Sequence, residues 1–556
     1  MSGRRRFAWA VGLLALCAAA GGLLGYAIDR LAAPPAPATV ATPASPAPEP
    51  VPAAPPAAAA PVAAPLPVQP VLGEVPCPDG PLPAGPAPRC RSVRVPSDWQ
   101  RPDSPPLDLF VMILPALNGA TAVDPVVLLS GGPGQGGSDD PRGTAAILAP
   151  MRATRDVLLV DQRGTGRSRP SLRCPALDPL RYWFGGVTAA DAVACLAPLR
   201  DAGYRLEDFD SGQSAADLRA LRGALGIAAW NVVATSYGGV LAQALLRIDG
   251  AAVRSLVLNS PAAADATWLD LDRLTAIRQA HRRMVEDCAA QPACARAFPR
   301  LDHAVERLAA ALERRPLTLR LHHPGSGRVS DLRLDWPMVA AVLALRLGNA
   351  GGMVPLPALL DHAERVVSAR GEADAGIGGA GVLDDPAVAA LVMPSSFWHA
   401  LDTLAYGLNL TVGCRENRPR VDAAAARRAA VSLRPYIVAD AVETDYDAAC
   451  PALALAPADG GFYRPVESDV PALILTGVYD TLTVPARAEA LGRTLHRAAL
   501  LPFRGLGHDV LGASACGRTI AARFIETLAV GEEANCMERF LPPAFATSLP
   551  GRAATP

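Results

Sequence analysis

Three residues, far apart in the chain and each set in a tight turn, could together attack a carbonyl and move the proton this requires. Ser236 follows the apolar run Trp230 to Ala234 and precedes Tyr237-Gly238-Gly239. A serine pushed out on a sharp turn between strand and helix is an exposed nucleophile, and small residues beside it let the helix approach the strand. Its hydroxyl is unreactive at neutral pH until a base takes its proton and a carboxylate holds that base in the right tautomer. Asp480 stands beyond the run Pro471 to Leu475 and the turn Gly477-Val478-Tyr479, and His508 ends Gly505-Leu506-Gly507-His508. Ser236, Asp480 and His508 in this order predict a triad for acyl transfer. Two plainer roles compete: Ser236 could merely cap a helix, and Asp480 could cap a helix over Val484 to Leu495. Of the other histidines, His281, His303, His362 and His496 fall in helical stretches, His322 and His323 in a hairpin, and His399 in an inserted segment.

Attack on a carbonyl builds negative charge on its oxygen, which backbone N–H groups must meet. Tyr237 supplies one by its position after the nucleophile. The second is expected from Gly132, in the loop Ser130-Gly131-Gly132-Pro133-Gly134 that follows the run Val126 to Leu129. Missing side chains there let backbone approach a substrate.

The elements that must hold these turns can be read from periodicity. Val126 to Leu129 and Asp156 to Val160 are nearly unbroken aliphatic runs, as in strands buried on both faces of a parallel sheet. Leu107 to Leu114 and Val253 to Leu258 add two more strands. Ser214 to Leu225 reads as an amphipathic helix capped by Ser214, and Gly238 to Leu246 as another helix. This alternation predicts a mostly parallel, doubly wound α/β sheet with its site at the carboxyl ends of the strands. From Ala262 to Arg464 the pattern is mainly helical, with one strand over Leu317 to Leu321. Strand signals resume at Pro471 to Leu475 and Ala498 to Pro502. The expected organisation is a first core part over 90–261, a helical cap inserted over 262–465 that roofs the sheet edge, and a second core part over 466–540.

Composition narrows the chemistry. The 556 residues are 50% hydrophobic with a net charge of -1, which lacks the basic footprint of nucleic-acid binding and favours a small peptide or ester substrate. No lysine is present, which excludes Schiff-base chemistry and the P-loop phosphate grip. No CxxC or Cys/His cluster suggests a metal, and the triad needs no cofactor.

Arg4, Arg5 and Arg6 precede an uncharged run from Phe7 to Ile28, so residues 1–30 are expected to direct export, as a signal peptide cleaved near Ala18 to Ala20 or as a transmembrane anchor over 7–28. Residues 31–72, almost wholly Pro, Ala and Val from Pro34 to Pro70, make a semi-rigid spacer. Such a chain would be periplasmic or displayed at the cell surface. Apart from Cys17, ten cysteines remain, an even number that suits disulfides in an exported protein. Spacing leaves their connectivity open; pairing of neighbours is the simplest arrangement.

Taken together, Ser130-Gly131-Gly132-Pro133-Gly134, Asp161-Gln162-Arg163-Gly164-Thr165-Gly166-Arg167-Ser168 and Ser236-Tyr237-Gly238-Gly239 resemble the prolyl aminopeptidase and tripeptidyl aminopeptidase group of α/β-hydrolases. Tyr479-Asp480-Thr481-Leu482-Thr483-Val484-Pro485, Gly507-His508 and the trailing Cys516 and Cys536 resemble the TAP-like C-terminal domain of that group, and Cys90 to Trp99 its opening strand. The resemblance implies an exopeptidase that seats a free peptide amine against cap carboxylates. Its nearest counterpart here is Glu416 in Gly413-Cys414-Arg415-Glu416-Asn417, where Arg415 and Arg418 offer a surface ion pair instead. The sequence departs from the pattern at Ser130, where histidine is common, and at Ala234, where the elbow has glycine. Two other readings stand beside it: an esterase with the same triad, its cap pocket lined by Phe397, Trp398 and Tyr406, and a hydrolase-fold binding module without catalysis.

Overall fold

The computed structural model describes residues 68–549 except 79–84, 120–121, 181–185, 269, 374–381 and 438–444. The basic start, the apolar run 7–28 and most of the spacer lie outside the described residues. Among the described residues no helix is long and apolar enough to cross a membrane.

The strands are β1 (Val71–Glu74), β2 (Arg89–Asp98), β3 (Arg101–Leu114), β4 (Val126–Leu129), β5 (Val157–Asp161), β6 (Trp230–Thr235), β7 (Val253–Asn259), β8 (Leu317–His322), β9 (Val329–Leu334), β10 (Val382–Leu383), β11 (Ala472–Gly477) and β12 (Ala498–Phe503). The helices used below are α1 (Pro141–Ile147), α2 (Ser211–Ala224), α3 (Gly238–Asp249), α4 (Leu271–Ala289), α5 (Trp336–Gly348), α6 (Ser395–Thr403), α7 (Tyr406–Val412), α8 (Pro485–Thr494) and α9 (Ala515–Thr527).

In the described residues a nine-stranded sheet runs in the order β1-β2-β3-β5-β4-β6-β7-β11-β12. The pairs from β5 to β12 are parallel, and β1, β2 and β3 add antiparallel strands at one side. The aliphatic runs fill the middle: β5 and β11 are buried along their whole length, as strands covered on both faces must be. Strand β3 is longer than its apolar run predicted. Its first half, with Pro105 and Pro106, pairs with β2 alone and has no ladder to β5, so prolines are tolerated there.

Helix α2 starts before the expected Ser214. Asp210 is the cap, its carboxylate accepting the Gln213 N–H, and the Ser214 hydroxyl turns back to the Asp210 carbonyl. An aspartate two residues before a glycine made the stronger cap than the serine inside the first turn.

Between β7 and β11 the chain leaves the sheet and builds a roof. It is mainly helical, with the expected strand at β8, but it also holds β9, antiparallel to β8, and β10, parallel to it. β9 alternates exposed and covered residues with few apolar ones, so its sequence carries little strand signal. The roof has its own core, including Leu274, Met284, Leu312, Trp336 and Leu343, into which Tyr479 from the sheet side also packs.

Disulfides join Cys77–Cys90, Cys174–Cys195, Cys288–Cys294, Cys414–Cys450 and Cys516–Cys536. Each closes a short loop between neighbours in sequence, the arrangement expected from the even count.

Candidate active site

β6 runs straight into Ser236, which takes φ +57°, a left-handed backbone that serine adopts only when its surroundings force it. Three hydrogen bonds do so: its N–H donates to the Asn259 carbonyl at 3.1 Å, and its carbonyl accepts the N–H groups of Gly239 and Ala262, each at 2.9 Å. A Cβ on Gly238 would run into the Leu129 carbonyl and one on Gly239 would lie 2.8 Å from the Ala262 carbonyl, so both positions need glycine for α3 to meet the sheet. Ala234, two places before, is fully buried between Leu129 of β4 and Leu258 of β7, where its methyl is accommodated.

Asp480 and His508 are brought together by the turns after β11 and β12. His508 Nδ1 lies 2.9 Å from Asp480 Oδ2. The other carboxylate oxygen accepts the N–H groups of Leu482 and Thr483 at 2.9 and 2.8 Å. Asp480 therefore does not cap α8, whose N-cap is Val484; its local turn consumes the bonds a cap would give. The Thr483 hydroxyl lies 2.8 Å from both Asp480 Oδ2 and the Ser260 carbonyl, and 3.1 Å from His508 Nδ1. Asn259 links the serine turn to the histidine turn: its carbonyl holds Ser236, while its Nδ2 donates to Asp509 Oδ1 at 2.7 Å. Burial opposes a charged imidazole at His508, but the Asp480 carboxylate outweighs it and His508 is raised above the ordinary histidine value. Sequence reasoning missed Thr483, Asn259 and Asp509; the hydroxyl three residues after Asp480 was the one legible signal.

The glycine loop lies against the elbow. A Cβ on Gly131 would come 3.1 Å from Ser236 Cβ. Gly132, at φ +108°, is exposed, and the Gly132–Pro133 bond is cis. Among the described residues, neither the Gly132 nor the Tyr237 backbone N–H donates to a protein acceptor. The roof clamps this loop: Ala405 N–H donates to the Gly134 carbonyl and Asn409 Nδ2 to the Pro133 carbonyl, both at 2.9 Å. It also holds the acid–base turns, since His508 N–H donates to the Gly348 carbonyl and the Tyr479 hydroxyl to Asp287 of α4.

Glu416 departs from the expected surface ion pair. The segment Gly413–Asn417 is a π-helical turn that sends its neighbours different ways: Arg415 pairs with Asp210 at 3.1 Å, and Arg418 with Asp447. Glu416 itself is buried, its two oxygens accepting Ser211 N–H at 2.6 Å and Ser211 Oγ–H at 2.7 Å. The Tyr237 hydroxyl lies 2.7 Å from the same Ser211 Oγ. Burial, and then the nearby Asp210 carboxylate, push Glu416 up to about 8 despite these bonds at the start of α2.

Of the aromatics that could line a cap pocket, two are packing residues. Trp398 packs edge-on against His323 inside the roof, and the buried Tyr406 donates its hydroxyl to the Leu401 carbonyl. Phe397 belongs to α6, but its side chain lies outside the described residues. His399 is exposed on that helix.

Residues 124–296 match the alpha/beta hydrolase fold family, and residues 436–536 match a family described as TAP-like protein. No curated protein matches the sequence. Among solved structures the chain is similar to an esterase from Exiguobacterium antarcticum, at 13% identity over 76% of this chain and 95% of that one, with a TM-score of 0.30. It is likewise similar to a thermophilic esterase from Thermogutta terrifontis, at 14% identity over 79% of this chain and 98% of that one, with a TM-score of 0.34. Likenesses this remote say nothing of substrate. The two matched stretches leave only the middle of the roof between them, and the chain has the α/β-hydrolase fold, with a TAP-like C-terminal part.

Proposed function

We propose that the protein is an exported serine hydrolase that removes short N-terminal segments from peptides. The observation that carries the catalytic part is the Asp480–His508 bond at 2.9 Å, tied through Asn259 to a serine on a left-handed turn. With Nδ1 committed to Asp480, Nε2 of His508 is the nitrogen left to take the Ser236 proton. Ser236 Oγ then adds to the substrate carbonyl, and the N–H groups of Gly132 and Tyr237 receive the charge on its oxygen. His508 passes the proton to the departing amine, and water, deprotonated by the same imidazole, hydrolyses the acyl-enzyme.

Amine recognition rests on Glu416. A carboxyl pushed up to about 8 by burial is largely neutral at pH 7, and a substrate ammonium beside it would restore its charge. Ser211 then relates the amine end to Tyr237, next to the nucleophile. A second reading, an esterase of the same triad, is favoured by one observation: both Glu416 oxygens already hold Ser211. Five disulfides support an oxidising compartment, periplasmic or at the cell surface, with 7–28 as signal or anchor.

The test is hydrolysis of paired chromogenic amides with free and acetylated N-termini, alongside short-chain esters, by the protein and by Ser236→Ala. The aminopeptidase reading expects serine-dependent cleavage of the free-amine member alone. Equal cleavage of free and blocked amides, or turnover of esters only, would replace it by the esterase reading.

A further inference from the structure

The acid–base pair has a cation beside it that the mechanism above leaves unused. Arg273 lies in the first turn of α4, after the capping Asp270. A cation there opposes the helix dipole, so helix stability does not account for it. Its Nη1 donates to the Trp268 carbonyl at 2.7 Å, and its Nε to the carbonyl of Thr481, the residue after Asp480, at 3.3 Å. Two carbonyls aim the guanidinium without neutralising it. Among the described residues no carboxylate comes within 4.0 Å of it. Asp270 is paired with Arg487 at 3.1 Å, and both oxygens of Asp480 are committed to its own turn and to His508.

Burial lowers the pKa of Arg273, against the pull of the Asp270 and Asp480 carboxylates, and the residue is half-buried. Its neighbours connect it to the glycine loop. Trp268 packs at a tilt against Tyr446 with ring centroids 5.1 Å apart; the Tyr446 hydroxyl bonds to Asn409, which holds the carbonyl of Pro133 in the glycine loop. Arginine presents a planar fork of donors that matches a carboxylate, and here both nearby acids, Asp270 and Asp480, spend their oxygens on other partners.

In acyl transfer the histidine gives its proton to the leaving group, so a side chain anchored on the Asp480 turn lies toward the leaving-group end, whereas Glu416 lies toward Tyr237. We propose that Arg273 binds a carboxylate carried by the leaving group, so that the preferred substrates are short peptides whose free α-carboxylate follows closely after the scissile bond. This rests on the hydrolase reading above. The step itself is unchanged: Ser236 Oγ forms the acyl bond, the C–N bond breaks, the serine proton reaches the departing amine through His508, and Arg273 holds that amine's carboxylate without exchanging a proton.

The test compares trialanine with its C-terminal carboxamide, using the wild type, Arg273→Met, Arg273→Lys and Ser236→Ala, with p-nitrophenyl acetate reporting the integrity of the triad. The wild type is expected to prefer the carboxylate by about 10- to 100-fold in kcat/KM, mainly through KM, as for a charge-assisted hydrogen-bonded pair. In Arg273→Met that ratio should fall to within about 3-fold of unity, and Lys should restore part of it. A wild type that cleaves both peptides alike, or a Met variant that loses the same factor on both, would overturn the assignment. Serine-dependent ester turnover with no cleavage of either peptide would overturn it together with the peptidase reading.

Discussion

The sheet edge and the roof above it treat their polar groups in opposite ways. At the edge the acid–base turns are densely bonded: Asp480 receives His508, two backbone N–H groups and the Thr483 hydroxyl, and Asn259 fastens two turns at once. The roof encloses ionisable groups whose charge burial opposes. Glu416 is pushed up to about 8, His281 down to about 4, and Arg273 is lowered by burial while its guanidinium donates to two carbonyls. A saturated network holds one geometry ready for one kind of chemistry, while an undersupplied charge waits on what arrives. On the proposed reading, reaction type belongs to the edge and selectivity to the roof.

Substitutions at the two regions should therefore behave differently. Ser236→Ala is expected to lower kcat by about 10⁴- to 10⁶-fold on amides and esters alike, read from initial rates. Asp480→Asn should cost about 10³- to 10⁴-fold at neutral pH, because the imidazole loses its tautomer and orientation. It should also move the acidic limb of the rate profile. The base works only when neutral, so activity is lost as pH falls through the His508 pKa; removing the carboxylate that raises that pKa shifts the limb to lower pH. Equal losses on all substrates from a roof substitution would break the contrast. Glu416→Gln is instead expected to shrink the ratio of free-amine to acetylated amide turnover by about 10- to 100-fold.

The smallest effect is on stability. A carboxyl whose folded pKa is about 8 binds its proton more tightly folded than unfolded, so stability falls as pH rises from the ordinary Glu range, 4.5, toward 8. Glu416→Gln removes that fall. Its Tm relative to wild type should rise between pH 5 and pH 8 in thermal melts, by about a few degrees at most.

The same contrast explains what could be read in the sequence. Buried parallel strands need unbroken aliphatic runs and the turns at their ends need small residues, so β4 to β7, β11 and the three candidate residues of the triad stood out. Their supports did not. Asn259 and Ser260 look like the end of any strand, and only the fold places them between Ser236 and His508. In the roof, β9 alternates without an apolar face to speak of, and Arg415-Glu416 reads as a surface pair. The π-helical turn that separates Arg415 from Glu416, and so buries the acid, has no signature in residue type.

Labelling of the protein with a fluorophosphonate, followed by peptide mapping in a mass spectrometer, tests the central claim most directly. The account predicts one adduct, on Ser236, formed much more slowly in His508→Ala. An adduct on another residue, or none on a protein that still turns over substrate, would contradict it.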